Sequence, residues 1–246
     1  MKYAIFGDLH GTELNGLEKV LAFQNVDVLI CLGDFDQTKT IHQFRDLEKK
    51  YLSAEKLVIK VPGNHDHAIL NDLRMASEVL KRQGKTRFEL YYELISDPVA
   101  KEYINKLVNS QDQYTIFLDK DKFGKDYPTI IIHGACDGDL SSYPGCPEKI
   151  KDLWFRLKTE NDHRKNFEVM DKKGYKVMIR GHDHEPSYTY CDPEKGIVTR
   201  IPESGSVYLL LKHRKHTINP GALLDGWFAT IDTRSLNFPM LEYHKL

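Results

Sequence analysis

Apolar residues in the first half of the chain alternate between two spacings. Tyr3 to Gly7 reads as a short strand, and Leu14, Leu17, Val20 and Leu21 then recur at helical spacing. Val26 to Leu32 is a continuous apolar run, of the kind a strand buried on both faces requires. Leu57 to Val61, Ile130 to Ile132 and Val177 to Ile179 repeat that theme. Strands alternating with helices predict an α/β sheet, whose ligands gather at the carboxyl ends of its strands. Beyond Tyr188 the texture changes. Ile197 to Ile201, Val207 to Leu211, Trp227 to Ile231 and Met240 to Tyr243 follow one another with no helical pattern between them. These predict antiparallel strands finishing a second sheet.

No internal repeat, low-complexity tract or linker interrupts the chain, so residues 1–246 are expected to form one domain. The stretch from about 84 to 125 is helical in pattern around Glu89 to Val108 and ends in a charged loop from Asp119 to Asp126. It is either a helical insertion over the site or the helices that cover one sheet. Covering helices are the simpler expectation, because every α/β layer needs them.

Composition changes this picture little. With 41% hydrophobic and 29% charged residues, the chain matches soluble globular domains. Lys and Arg number 35 against 36 Asp and Glu, so no global basic field recruits nucleic acid. Cys31, Cys136, Cys146 and Cys191 form no CxxC pair and no zinc-ribbon spacing, and free thiols are expected. Asp8 and His10 stand where a signal peptide needs its apolar stretch, and no apolar segment approaches the ~18 residues of a membrane span. The expected location is the cytoplasm, without membrane association.

Five short clusters carry the chemistry, four of them directly after a predicted strand. They are Asp8-Leu9-His10, Gly33-Asp34, Gly63-Asn64-His65-Asp66, His133-Gly134 and Gly181-His182-Asp183-His184. Each alone reads as a satisfied polar loop. Five at strand ends are hard to credit to chance. Imidazole with carboxylate suits Mn, Fe, Zn, Ni and similar divalent ions rather than an all-oxygen calcium cage. Two such ions ~3.5–4 Å apart share a bridging carboxylate and hydroxide, and clamp a phosphate for in-line attack. Their charge outweighs that of Asp8, Asp34 and a hydroxide, so the site attracts an anion.

The blocks DLH, GDFD, GNHD, HG and GHDH, in this order, resemble those of the calcineurin-like metallophosphoesterase superfamily. The motifs span Asp8 to His184, and Asn219-Pro220-Gly221 resembles a loop near that family's last strands. The resemblance implies a four-layer α/β/β/α sandwich with a dinuclear metal site at the carboxyl ends of the strands. One ion would take Asp8, His10, Asp34 and His184, and the other Asp34, Asn64, His133 and His182, with Asp34 bridging. His65 would protonate the leaving oxygen. The implied cofactors are two divalent transition-metal ions, Mn first, with Fe, Zn, Ni or Co as alternatives. Many members carry GDxxD, whereas this chain reads Gly33-Asp34-Phe35-Asp36-Gln37, which leaves Asp36 and Asp66 as candidates to orient His65. The Arg and the GNHE of the serine/threonine phosphatases are absent.

Other residues read more simply. His67 reads as structural, Asp183 as aimed away from the metals, and Arg180 as a strand arginine paired with a carboxylate. Lys212 to His216, KHRKH, reads as a solvated hairpin turn rather than a nucleic-acid patch, and Tyr188 and Tyr190 as one face of a twisted sheet. The sequence thus predicts a two-metal hydrolase of phosphate esters, a phosphatase or phosphodiesterase, in which a metal-bound hydroxide attacks phosphorus and His65 is the general acid. Its expected partner is a small phosphoester or nucleotide. A DNA nuclease of the same superfamily and a non-catalytic metal-binding scaffold are the alternatives. The substrate, the native metal and the oligomeric state are left open.

Overall fold

The apolar run ahead of Gly33 becomes a fully buried strand at the middle of a parallel trio. In the computed structural model, which describes residues 1–71, 87–109, 115–118, 126–141, 143–234 and 238–246, β1 (Lys2–Phe6), β2 (Val28–Cys31) and β3 (Leu57–Lys60) pair in parallel, Tyr3 opposite Val28 and Val28 opposite Leu57. The intervening helices α1 (Asn15–Phe23) and α2 (Thr38–Ser53) return the chain to the same end of the sheet, and α3 (Asn64–Asn71) starts there. After α4 (Arg87–Ser96) and α5 (Pro98–Asn109) the pattern repeats. The chain forms β4 (Thr115–Leu118), β5 (Thr129–Ile132), a short α6 (Lys151–Trp154), α7 (Glu160–Lys173) and β6 (Val177–Ile179). Thr159 and Asp162 form a reciprocal capping box at the start of α7, and left-handed Gly174 ends it.

The remaining strands are β7 (Ser187–Asp192), β8 (Gly196–Arg200), β9 (Val207–Leu209), β10 (Lys215–Asn219), β11 (Trp227–Asp232) and β12 (Met240–Lys245). They do not all finish one sheet, as the sequence suggested. One sheet runs β3-β2-β1-β11-β12-β9 and the other β4-β5-β6-β10-β7-β8, so the late strands complete both. The KHRKH segment is the expected turn over residues 212–214 only. Its last two residues open β10, which lies between β6 and β7, and His216 is fully buried. The preceding cations are spent on ion pairs, Lys212 with Asp126, Arg214 with Asp192 and Lys215 with Asp171.

Both faces of the central strands are apolar because both are covered. Ile5, Ile30, Ile131, Ile179, Ile218 and Tyr243 meet in a core shared by the two sheets. The opposite faces of β1 and β2, through Phe6 and Leu29, pack on Leu17, Phe44 and Ile104 of α1, α2 and α5. Ile130, Ile132 and Met178 pack on Phe167 and Met170 of α7. The helices at 87–109 therefore cover a sheet face together with α1 and α2. Most of the charged loop expected at 119–126, and both flanks of those helices, lie outside the described residues. Among the described residues no helix is long and apolar enough to cross a membrane.

Candidate metal centre

The turns that leave β1, β2 and β6 are wound unusually tightly. Asp8, His10, Asp34, Asp36, His182 and His184 all have positive φ, between 44° and 72°. Such backbone is costly for residues with a Cβ, and it persists where surrounding structure over-determines it. Here the surroundings are backbone donors. The His182 N–H reaches both Asp8 oxygens at 3.2 and 3.0 Å, and the His65 N–H, in the first turn of α3, donates to Asp34 Oδ1 at 2.9 Å. Gly33 and Gly63 let the loops meet. A Cβ on Gly33 would lie 2.2 Å from the Gly63 nitrogen, and one on Gly63 would lie 1.9 Å from Asp34 Oδ1.

The eight residues singled out by the motifs converge at this end of the sheets. His10 Nε2 lies 3.1 Å from His184 Nε2 and 3.6 Å from Asp34 Oδ2, and His184 Nε2 lies 3.5 Å from Asp8 Oδ1. On the other side of Asp34, His133 Nε2 lies 3.4 Å from the same Oδ2 and 2.8 Å from Asn64 Oδ1. His182 stands beside His133, with ring centroids 5.2 Å apart. His65 sits at the rim, its side chain 11% exposed and its ring 5.0 Å from that of His10. The ligand atoms of Asp8, His10 and His184 lie within 4.8 Å of one another, as do those of Asp8, Asp34 and His133.

A supporting layer fixes the rings. Asp36 Oδ2 takes the His10 Nδ1–H at 2.7 Å, and the Leu32 carbonyl takes the His133 Nδ1–H at 2.5 Å, so both rings turn Nε2 inward. Asp66 is engaged elsewhere. Its carboxylate accepts the N–H groups of Gly63, Asp34 and Phe35 at 2.8–2.9 Å and clamps the GD loop to the GNH loop. Asp36 is the carboxylate that approaches His65, its Oδ1 3.5 Å from Nδ1. Of the two carboxylates the motif left open, the structure therefore puts Asp36 next to the His65 ring. Arg180 is buried and pairs with Asp183 at 2.6 Å, the simpler of its two readings.

The electrostatics show what the cluster attracts. Burial works against a charged His10, but Asp36, Asp34 and Asp8 outweigh it and raise the imidazole to about 9. His133 follows the same course against burial, raised to about 9 chiefly by Asp34. Burial would raise Asp34, yet His133, His65 and His10 hold its carboxyl well below the usual carboxylate range. Burial, then His133 and Arg156, keep His182 neutral. Asp34 Oδ2 and His182 Nε2, both in the cluster, are among the buried side-chain atoms of the described residues that have no hydrogen-bond partner. Protons on His10 and His133 offset the buried carboxylates here, a task that a divalent cation of the transition series would take over, with the orphaned Asp34 Oδ2 and His182 Nε2 among its ligands. Residues outside the motifs also border the cluster. Trp154 packs edge-on against His182 with 6.2 Å between centroids, and Arg156 follows two residues later. No spacing rule marks either residue in the sequence.

Comparison with known proteins accords with this geometry. A metallophosphoesterase from Sphaerobacter thermophilus has the same fold, with a TM-score of 0.64 at 20% identity over 100% of this chain and 88% of its own. A novel archaeal phosphodiesterase aligns with a TM-score of 0.47 at 20% identity, covering 100% of both chains. Yfce, a phosphoesterase from E. coli, aligns with a TM-score of 0.40 at 16% identity over 95% of this chain and 89% of its own. No curated protein matches the chain significantly in sequence. A model of the calcineurin-like phosphoesterase superfamily domain matches residues 1–233, and the chain belongs to that superfamily.

Proposed function

We propose that the protein is a two-metal hydrolase of small phosphate esters, built as one domain in four α/β/β/α layers. The observation that carries this reading is the position of Asp34 Oδ2. It is buried and free of hydrogen bonds, and it lies between His10 Nε2 at 3.6 Å and His133 Nε2 at 3.4 Å. An oxygen so placed suits a bridge between two cations. Asp8, His10 and His184 would complete one coordination set, and Asn64, His133 and His182 the other. When bound, two divalent ions supply positive charge for a phosphoryl group and make water acidic enough to act as a nucleophile near neutral pH.

The chain's own groups supply the rest. Asp36 and the Leu32 carbonyl hold His10 and His133 in the tautomer that turns Nε2 inward. His65, at the rim with Asp36 beside Nδ1, would give the proton of its Nε2–H to the departing oxygen. Mn²⁺ is the ion proposed, with Fe, Zn, Ni or Co as alternatives that availability decides. Four free cysteines accord with work in the cytoplasm. Ion pairing across Lys212, Arg214 and Lys215 supports a small substrate over a nucleic acid.

The test is a panel with Mn-loaded protein against p-nitrophenyl phosphate, bis-p-nitrophenyl phosphate, cyclic nucleotides, dinucleoside polyphosphates and single-stranded DNA. Turnover of a small ester that chelation removes is the expected result. The faster of the two nitrophenyl esters tells phosphatase from phosphodiesterase. Cleavage confined to DNA would establish the nuclease instead, and no cleavage of any substrate would favour the scaffold.

A further inference from the structure

The segment that follows α6 runs against the loop carrying His182 and His184. Trp154 packs on the His182 ring, and the Leu157 N–H reaches Asp183 Oδ2 at 3.4 Å. Between them Arg156 is fixed by its backbone, which exchanges hydrogen bonds of 3.0 and 2.9 Å with Asp139 in an isolated antiparallel bridge. The guanidinium is less well provided for. Among the described residues its one ion pair is a 3.9 Å approach to Asp183, too long for a hydrogen bond. Asp183 is already committed to Arg180, whose Nη1 donates to it at 2.6 Å.

Two guanidiniums thus share one carboxylate. The Asp139 carboxylate nearby is taken by Lys158 at 2.5 Å and by the Ser141 hydroxyl at 2.7 Å. His163, which burial and Arg180 push down to about 4, stays neutral. The two guanidiniums differ in how far they are enclosed. The Arg180 side chain is 1% exposed and that of Arg156 is 29%.

We propose that Arg156 is the substrate's phosphate-binding residue, its guanidinium donating to phosphoryl oxygens beside the His182–His184 loop. This rests on the phosphoesterase reading above. A planar fork of N–H donors matches two oxygens of a phosphate, and a half-buried cation without a close partner gains most from one. A monoester dianion offers such a fork more charge than a diester monoanion does, so the contact favours monoesters.

The experiment compares the Mn-loaded full chain with Arg156→Ala, Arg156→Gln and Arg156→Lys. It measures calorimetric affinity for inorganic phosphate, KM and kcat on the two nitrophenyl esters, and melting temperature. Loss of a charge-assisted hydrogen bond corresponds to roughly tenfold to a hundredfold weaker binding. Phosphate affinity should fall by that factor in the Ala and Gln variants, with KM rising more than kcat falls, and more for the monoester. Lys should recover part of the affinity, because it keeps the charge and loses the fork. Melting temperatures should stay close to that of the unaltered protein. If Ala or Gln lowers the melting temperature while phosphate affinity is unchanged, Arg156 merely braces Asp183 and the proposal is wrong. Should the Ala variant fail to fold, the Gln variant, which keeps more of the side chain and a polar tip, decides by the same affinity. An unaltered protein that neither binds phosphate nor cleaves any ester would overturn the phosphoesterase reading and this inference with it. An active protein whose variants bind phosphate normally would overturn the role of Arg156 alone.

Discussion

At the scale of single residues, the cluster separates groups that would touch a metal or substrate from groups that aim them. In the proposed mechanism His65 is of the first kind. Its Nδ1 has Asp36 at 3.5 Å, whereas Asp66, the other carboxylate the motif left open, is occupied by three backbone donors. Replacing His65 with Ala should leave metal content intact and lower turnover by ~10²–10⁴-fold, the usual contribution of general acid catalysis. The loss should shrink for nitrophenolate leaving groups and be largest for alkoxides. Equal loss on both, or loss of metal, would remove His65 from that role. Asp36 belongs to the second kind, because it also holds the His10 ring at 2.7 Å. Asp36→Ala should weaken metal binding by ~10–100-fold, as removal of such orienting partners does. A metal titration with normal affinity would show that the His10 ring needs no help. Part of this arrangement was legible in the sequence. The convergence of the eight motif residues was readable, because most of the motifs directly follow a strand of the parallel pattern. The choice between Asp36 and Asp66 was not, because it depends on backbone donors that only the folded loops bring together.

At the scale of elements, the parallel strands β1, β2, β5 and β6 were readable as apolar runs because they are buried, and β3 was read the same way although it is a part-exposed edge strand. β10 escaped the same reading. Its sequence, Lys215 to Asn219, contains one aliphatic residue, Ile218, yet its last four residues are buried. Hydrogen bonds replace hydrophobicity there. The Tyr188 hydroxyl donates to His216 Nδ1 at 2.9 Å, and the His216 Nε2–H donates to the Leu211 carbonyl at 3.0 Å. That arrangement fixes the neutral ring, and burial holds His216 down to about 4, helped by Arg214, His213 and Lys176 against the pull of the Leu211 carbonyl. The unfolded chain takes up a proton near pH 6.5 and the folded one only near 4. Stability is therefore full above about 6.5 and falls as pH drops from there to about 4, by on the order of 3 kcal/mol from this residue. Denaturant titrations across that window should show a shallower acid slope for His216→Gln than for the parent chain, at some cost in stability near neutrality. Identical slopes would mean that His216 is protonated without opposition in the fold.

At the scale of the whole molecule, two sheets back to back bring residues 8 to 184 to one end, so that ligands far apart in sequence become neighbours. The late strands serve this arrangement from both sides. β11 pairs with β1 in one sheet and β10 with β6 in the other. Sequence patterning showed that late strands exist but not their partition, since strand pairing is decided by which edges remain open after the parallel units have formed. Charge follows the same logic at this scale. A nearly balanced chain concentrates a carboxylate-imidazole cluster in its interior and sets the partly exposed Arg156 beside the loop that carries His182 and His184.

The central claim is that this cluster binds two divalent ions and that hydrolysis depends on them. The direct measurement is a titration of Mn²⁺ into chelator-stripped protein, with bound metal and phosphoester turnover followed in the same samples. The account predicts saturation at about two ions per chain, turnover that rises with occupancy, and a failure of Asp34→Asn to reach that occupancy because its bridging oxygen loses charge. Full turnover in chelator, with no metal bound at saturation, would contradict it.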